Sequence, residues 1–382
     1  MDLTTLATLV GILIAMLGVD TYLHPKDVIL ESTVVARSDD GVLNVALLRD
    51  ILADEVERIS STPTIATKPA ISVGRPGGLA VSIAESLHVP ALAYALQSQF
   101  SNQPALIKLS MFTEGTTAKI LVSGSGQWRA DPFRQEIAQE PGESITSLAR
   151  RASIVAMAQV DPYSTALNLM QRHATDLEFQ DVESIISFAL SRMPPQPINP
   201  ERALFENLQG MIALFRRDLP GALALFQKAS ASNPDNAVPA LNAAFVKMAL
   251  DRDSEAVTDM EDLLRNRPPT DRILLATAHM TLGAAWIGID VFDAAERNVV
   301  RSLELHATSS TAYELWSEIR RDQGDEAGAR QHHEQALAVS GYFENYAELA
   351  ALYFRMAWRN GEPVMRNPFH NPTTVNVRTR RN

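Results

Sequence analysis

Small residues return along this chain at a fixed step, and no other feature constrains its fold as much. Gly210, Ala222 and Pro234 are followed 34 residues later by Ala244, Ala256 and Pro268, and the bulky Phe226 by Met260. Ala295 and Ala329 are again 34 apart, and Gly283 precedes Ala295 by twelve residues, as Gly210 precedes Ala222. The step from Ala256 to Ala295 is 39, so about five residues are inserted near Pro268–Arg272. In the last unit Gly324 marks a turn and Ala329 and Ala336 hold the small positions. A period of this length belongs to a supersecondary unit that cannot bury its apolar face alone and must stack on copies of itself. Each small residue lets one helix cross another closely, with no bulky substituent between ridge and groove. Pro234 and Pro268 lack the N–H that a further helical turn would use, so they close their units.

With Gly210, Ala213, Ala222, Phe226, Ala229 and Pro234 in its best unit, the pattern resembles the tetratricopeptide (TPR) repeat, two antiparallel helices closed by a proline. The match departs from the family at two places. The bulky aromatic expected early in the first helix of that unit is missing from its register position, and Gln209 replaces the usual leucine; Tyr313 and Trp316 restore aromatic bulk only in the fourth unit. Ala189 and Pro194, spaced like Ala229 and Pro234, extend a weaker match upstream, and the stretch 343–359 reads as a closing helix. The resemblance implies an all-α TPR solenoid over residues 163–358, with a concave face.

In a TPR array the first helix of each unit lines the inner groove. Carried onto this chain, that makes groove residues of Asn207, Met211, Leu214 and Phe215, then Leu241, Phe245 and Met248, then Met280, Ala284 and Ile287. The fourth unit turns polar with Glu314, Glu318 and Arg321. Such a groove suits a protein partner presenting an amphipathic helix or an extended apolar peptide, with methionine supplying adaptable surface. Of the basic carboxylate clamp used by chaperone-binding TPR proteins only Asn207 and Asn242 have counterparts; Met211, Thr277 and Thr281 stand elsewhere in it, so that function is not implied. The alternative occupant is the protein itself, through its tail or its N-terminal domain.

Before the repeats the pattern is mixed. Residues 27–36 read as a strand and 42–59 as a helix with apolar spacing of three and four. A Gly/Pro break at 75–78 leads into a short element, 89–100 reads as a helix, and 105–112 and 117–124 flank a hairpin turn at 113–116. Residues 143–159 read as a helix leading into the solenoid. The order β-α-β-α-β-β-α describes a small α+β domain over residues 27–160, with a mostly antiparallel sheet.

Leu3–Val19 is a run of 17 residues without a charge. As a helix it spans roughly 25 Å at about 1.5 Å per residue, just short of a bilayer core. Tyr22 would stand at the interface, with His24 and Lys26 beyond it. The expectation is a single-pass transmembrane helix over residues 1–24, with the soluble part periplasmic. A buried core helix and a cleaved signal peptide are the alternatives; the signal lacks both a basic n-region and an A-x-A site. Anchor, α+β domain and TPR array together resemble membrane-anchored bacterial TPR proteins of poorly defined function. Residues 359–382, with five arginines against one glutamate and no periodicity, read as a disordered basic tail.

The residues offer little chemistry. The formal charge of −11 argues against a nucleic-acid partner, and the absence of cysteine removes thiolate nucleophiles and ligands. The Gly-rich stretches at 74–78 and 123–128 lack phosphate-loop or dinucleotide spacing and read as turns or loops. The histidines form no metal-binding cluster, and His333, in the register position of Phe226, is expected in the core. The reading is therefore a scaffold or adaptor with no catalytic residues, no metal and no cofactor. The alternatives are an enzyme or small-ligand sensor in the α+β domain with the repeats as its regulatory or dimerising arm, and a structural subunit of a larger membrane complex.

Overall fold

The structure, a computed structural model, describes residues 28–34, 45–66, 71–73, 105–115, 117–125, 133–173, 176–194, 196–339 and 349–350. The expected anchor at 1–24, the elements expected at 75–86 and 89–100, the stretch 343–359 apart from Leu349 and Ala350, and the tail lie outside them. No helix among the described residues is long and apolar enough to cross a membrane. The chain divides into two compact units, residues 1–62 with 67–168, and residues 63–66 with 169–382.

The first unit is built on a five-stranded sheet in the order β2-β1-β3-β4-β5. The strands are β1 (Val28–Val34), β2 (Ile71–Val73), β3 (Ala105–Glu114), β4 (Thr117–Ser125) and β5 (Phe133–Ala138). Helix α1 (Val45–Ser60) follows β1, and α2 (Ile145–Val160) follows β5. The α+β class holds, but the sheet is not mostly antiparallel. β1 runs parallel to both β2 and β3, while β3–β4 and β4–β5 are antiparallel. The crossover through α1 sets the β1–β2 pairing, because a chain that leaves a strand and returns through a helix re-enters the sheet in the same direction. The expected hairpin is present, with Gly115 in the left-handed region at φ 62° between the paired Glu114 and Thr117.

β5 was not legible in the sequence, since only Ile137 of its six residues is buried. Of the stretch 123–128 read as turn or loop, residues 123–125 lie in β4, in line with the hairpin arm at 117–124, and 126–128 lie outside the described residues. The ring of Phe133 lies across Gly124, where any Cβ would collide with it. One face of the sheet carries Leu109, Met111, Ile120 and Val122, each at most 3% exposed. Leu52 and Ile59 of α1 and Leu148, Ala152 and Ala156 of α2 complete that core. Burying each of the larger side chains stabilises the fold by about 1.5–3 kcal/mol. Arg151 fixes the β5–α2 loop by donating to the Ala138 carbonyl at 2.7 Å and to Glu143 at 2.9 Å.

Helix α3 (Pro162–Arg172) contains the division between the units. The second unit continues with α4 (Gln180–Ser191), α5 (Pro200–Phe215), α6 (Leu219–Ser232), α7 (Ala237–Ala249) and α8 (Asp253–Asn266). It ends in α9 (Arg272–Gly288), α10 (Phe292–Leu305), α11 (Ser310–Asp322) and α12 (Glu326–Val339). Helices α5 to α12 form four hairpins, α5/α6, α7/α8, α9/α10 and α11/α12. A second periodicity lies in their turns. The left-handed residues Arg217, Asp251, Asp290 and Gly324 repeat the spacing of the small residues. After each, a backbone N–H reaches back five residues: Asp218 to Ala213, Arg252 to Lys247, Val291 to Trp286, Asp325 to Arg320. This is the Schellman closure, which satisfies carbonyls left over at a helix end. The unit is a TPR-like array of helical repeats.

Close approach explains the small residues as expected. A Cβ on Gly210 would lie 2.5 Å from the Phe226 ring, and one on Gly283 2.9 Å from Val299. In the fourth hairpin the position is Ser317, whose hydroxyl donates to the Ala329 carbonyl at 2.7 Å. The inserted residues add a turn to the start of α9, which has 17 residues against 13 in α7. Asp271 caps that added turn by accepting from the N–H groups of Ile273 and Leu274.

Candidate protein-binding groove

The first helices of the four hairpins, α5, α7, α9 and α11, are neighbours in sequence of stacking: α7 packs on α9 and α9 on α11. Side chains tie α5 to α7. The Asn242 amide donates to Asn207 Oδ1 at 2.9 Å and to Met211 Sδ at 3.8 Å. The result is a continuous layer, and it is the surface on which the groove residues were expected.

The structure places nearly all of them inside. Asn207, Met211, Leu214 and Phe215 are at most 3% exposed, as are Leu241 and Phe245, while Met280, Ala284 and Ile287 reach no more than 8%. Met248 alone of the apolar set is half-buried, so it is the one with a share of the surface. Phe215 meets Phe179 at 5.7 Å between ring centroids, which makes it part of the packing between α5 and the start of α4. Of the polar end, Glu314 and Glu318 are half-buried and Arg321 is exposed.

Sequence reasoning passed over Asn242 as a remnant of a clamp, yet the groove's polar contacts converge on it. It is fully buried, and its Oδ1 accepts the backbone N–H of Ala350 at 2.7 Å. Leu349 and Ala350 are themselves fully buried. The available signal was an asparagine alone among the apolar residues of 237–246. A buried amide is tolerated only where both its donor and its acceptor side are satisfied.

Charged pairs brace the hairpins from the side. Glu206, buried on α5, meets Arg202 and Lys228 at 3.1 Å each and accepts the Ser232 hydroxyl at 2.7 Å. Lys247 on α7 holds Asp259 of α8 at 2.6 Å. Near the last hairpin Trp316 stacks on His332 with centroids 3.9 Å apart and donates its indole N–H to Glu296. The expectation for His333 is corrected here. His332 takes the buried place, because the flat face of Trp316 accepts its ring, while the half-exposed His333 pairs with Glu314 at 2.8 Å. Burial pushes the Glu314 carboxyl up from its ordinary value, and His333 opposes that shift. Among the described residues no group of three His, Asp or Glu could hold a metal ion.

No family model matches the chain, and no curated protein matches it. Among solved structures it is similar to PilW, a widely conserved type IV pilus biogenesis factor, over 55% of this chain and 90% of that one, at 15% identity and a TM-score of 0.40. It is similar to PilF of Pseudomonas aeruginosa over 55% and 89%, at 15% identity and a TM-score of 0.39. A third similarity, to MamA from Desulfovibrio magneticus RS-1, covers 48% and 98%, at 14% identity and a TM-score of 0.36. The fold assignment rests on the hairpin register itself.

Proposed function

We propose that the chain is a non-enzymatic scaffold whose helical-repeat unit holds a segment of another protein along the layer formed by α5, α7, α9 and α11. The observation that supports this most is the continuity of that layer, with the Asn207–Asn242 pair spanning two of its helices. Repeat arrays use such extended surfaces to grip a partner. The apolar residue of this layer with surface to offer is Met248, whose flexible side chain suits an amphipathic helix or an extended apolar peptide. The proposal includes a tether: residues 3–19 fix the protein in a membrane with the repeats on the periplasmic side.

Met248 is the residue to vary, because Phe245 is packed inside and a charge there would strike the fold itself. Cross-linked co-purification from native membranes should capture a partner with the wild type and lose it with Met248→Glu, while circular dichroism shows the helices unchanged. Retention of the same partner by the folded variant would remove the groove from the account. Recovery of the full-length chain in the soluble fraction would remove the tether.

A further inference from the structure

We infer that Asn242 reads main chain, and that its resident ligand is this protein's own segment at Leu349–Ala350, whose place a partner must take. The inference deepens the scaffold reading and rests on it for its biological use.

The chemistry starts from the amide. Its NH2 group is spent sideways on Asn207 Oδ1 and Met211 Sδ, within the helix layer. Its carbonyl oxygen then needs a donor, and backbone N–H groups inside neighbouring helices are already committed to their own turns. A donor must therefore come from a segment that crosses the layer. Ala350 supplies one: it stands in a turn, not in a helix or a strand, and its N–H meets Asn242 Oδ1 at 2.7 Å. Both Leu349 and Ala350 have no exposed surface, so the contact is a seated one.

The tether has the reach. Residues 340–349 separate the end of α12 from Ala350, and ten residues extend at most about 35 Å. From α12 through α11 and α9 to α7 is three helix steps of about 8–10 Å each, which stays within that reach. A segment tied this closely faces its site at an effective concentration near the millimolar range, which keeps it seated although a single neutral hydrogen bond is a modest contribution. A partner that offers the same N–H plus more apolar surface displaces it. The chemistry of such a partner follows from what it replaces: a bend with a free backbone N–H, carried by a small apolar residue and preceded by a leucine-sized one.

Hydrogen exchange on the full-length protein tests this without any partner. In the wild type the amides at 349–350 should be protected. In Ala350→Pro, which removes the donor without touching the helices, the amides next to it should exchange roughly tenfold faster, the value of one such bond, while α5 to α8 keep their protection. Asn242→Leu, which removes the acceptor, should do the same. A peptide of residues 343–359 added in trans should bind Ala350→Pro about tenfold more tightly than the wild type, because the resident segment no longer competes. Wild-type amides at 349–350 that exchange as freely as an unfolded chain overturn the inference. So does undiminished protection in Ala350→Pro, or equal affinity of both proteins for the peptide. None of these readings depends on capturing a cellular partner, so the scaffold proposal fails or stands separately.

Discussion

At the scale of single residues, the repeat is held by positions that carry a cost. Asp290 adopts φ 62°, where glycine avoids the Cβ crowding that aspartate tolerates, and its side chain is exposed. Asp290→Gly should therefore stabilise the protein by about 0.5–1 kcal/mol, read as a higher urea midpoint; an unchanged or lower midpoint would show that the aspartate earns its place through contacts. Asp253 makes a second case. Burial raises its carboxyl pKa, and the neighbouring Asp251 charge adds to the shift. A group whose folded pKa lies above its unfolded value stabilises fully below the unfolded value, and that contribution is lost as pH rises through the folded one. The charged form is thus a burden at neutral pH. Asp253→Asn should gain stability over the wild type at pH 7, and the difference should shrink toward acid pH; a difference that does not vary with pH would contradict the assignment.

Among elements, what the sequence made legible was whatever small residues record. The 34-residue step located the four hairpins, and Gly210 against Phe226 shows why the step survives in the residues. Gly210→Ala places a Cβ 2.5 Å from that ring, so it should cost about 1–3 kcal/mol even though alanine is the better helix former; thermal unfolding decides, and a stabilised variant would mean the ring moves aside freely. The turns were less legible. Three of their four left-handed positions are Arg217, Asp251 and Asp290, which advertise nothing, whereas Gly324 does. β5 escaped because an edge strand with one buried side chain has no apolar alternation to read, and its partner Gly124 looks like a loop residue until Phe133 is laid over it. His333 misled for a related reason: register marks a position but does not say which of two adjacent rings a tryptophan will stack on.

For the molecule as a whole, the candidate site was half legible. Family register named the helices that form the layer, but exposure is a property of everything packed around a residue and is not written locally. That is why Met211, Leu241 and Phe245 were expected at an open surface and are buried, and why Asn242 gained its meaning only from a residue 108 positions away. The central claim is that the layer of first helices receives a polypeptide segment from another protein. Its most direct test is a photo-crosslinking residue placed at position 248 of the full-length protein in intact cells, with position 258, exposed on α8, as the control. The account predicts adducts to a second polypeptide from position 248 and none from position 258. Equal adducts from both positions, or none from either, would contradict it.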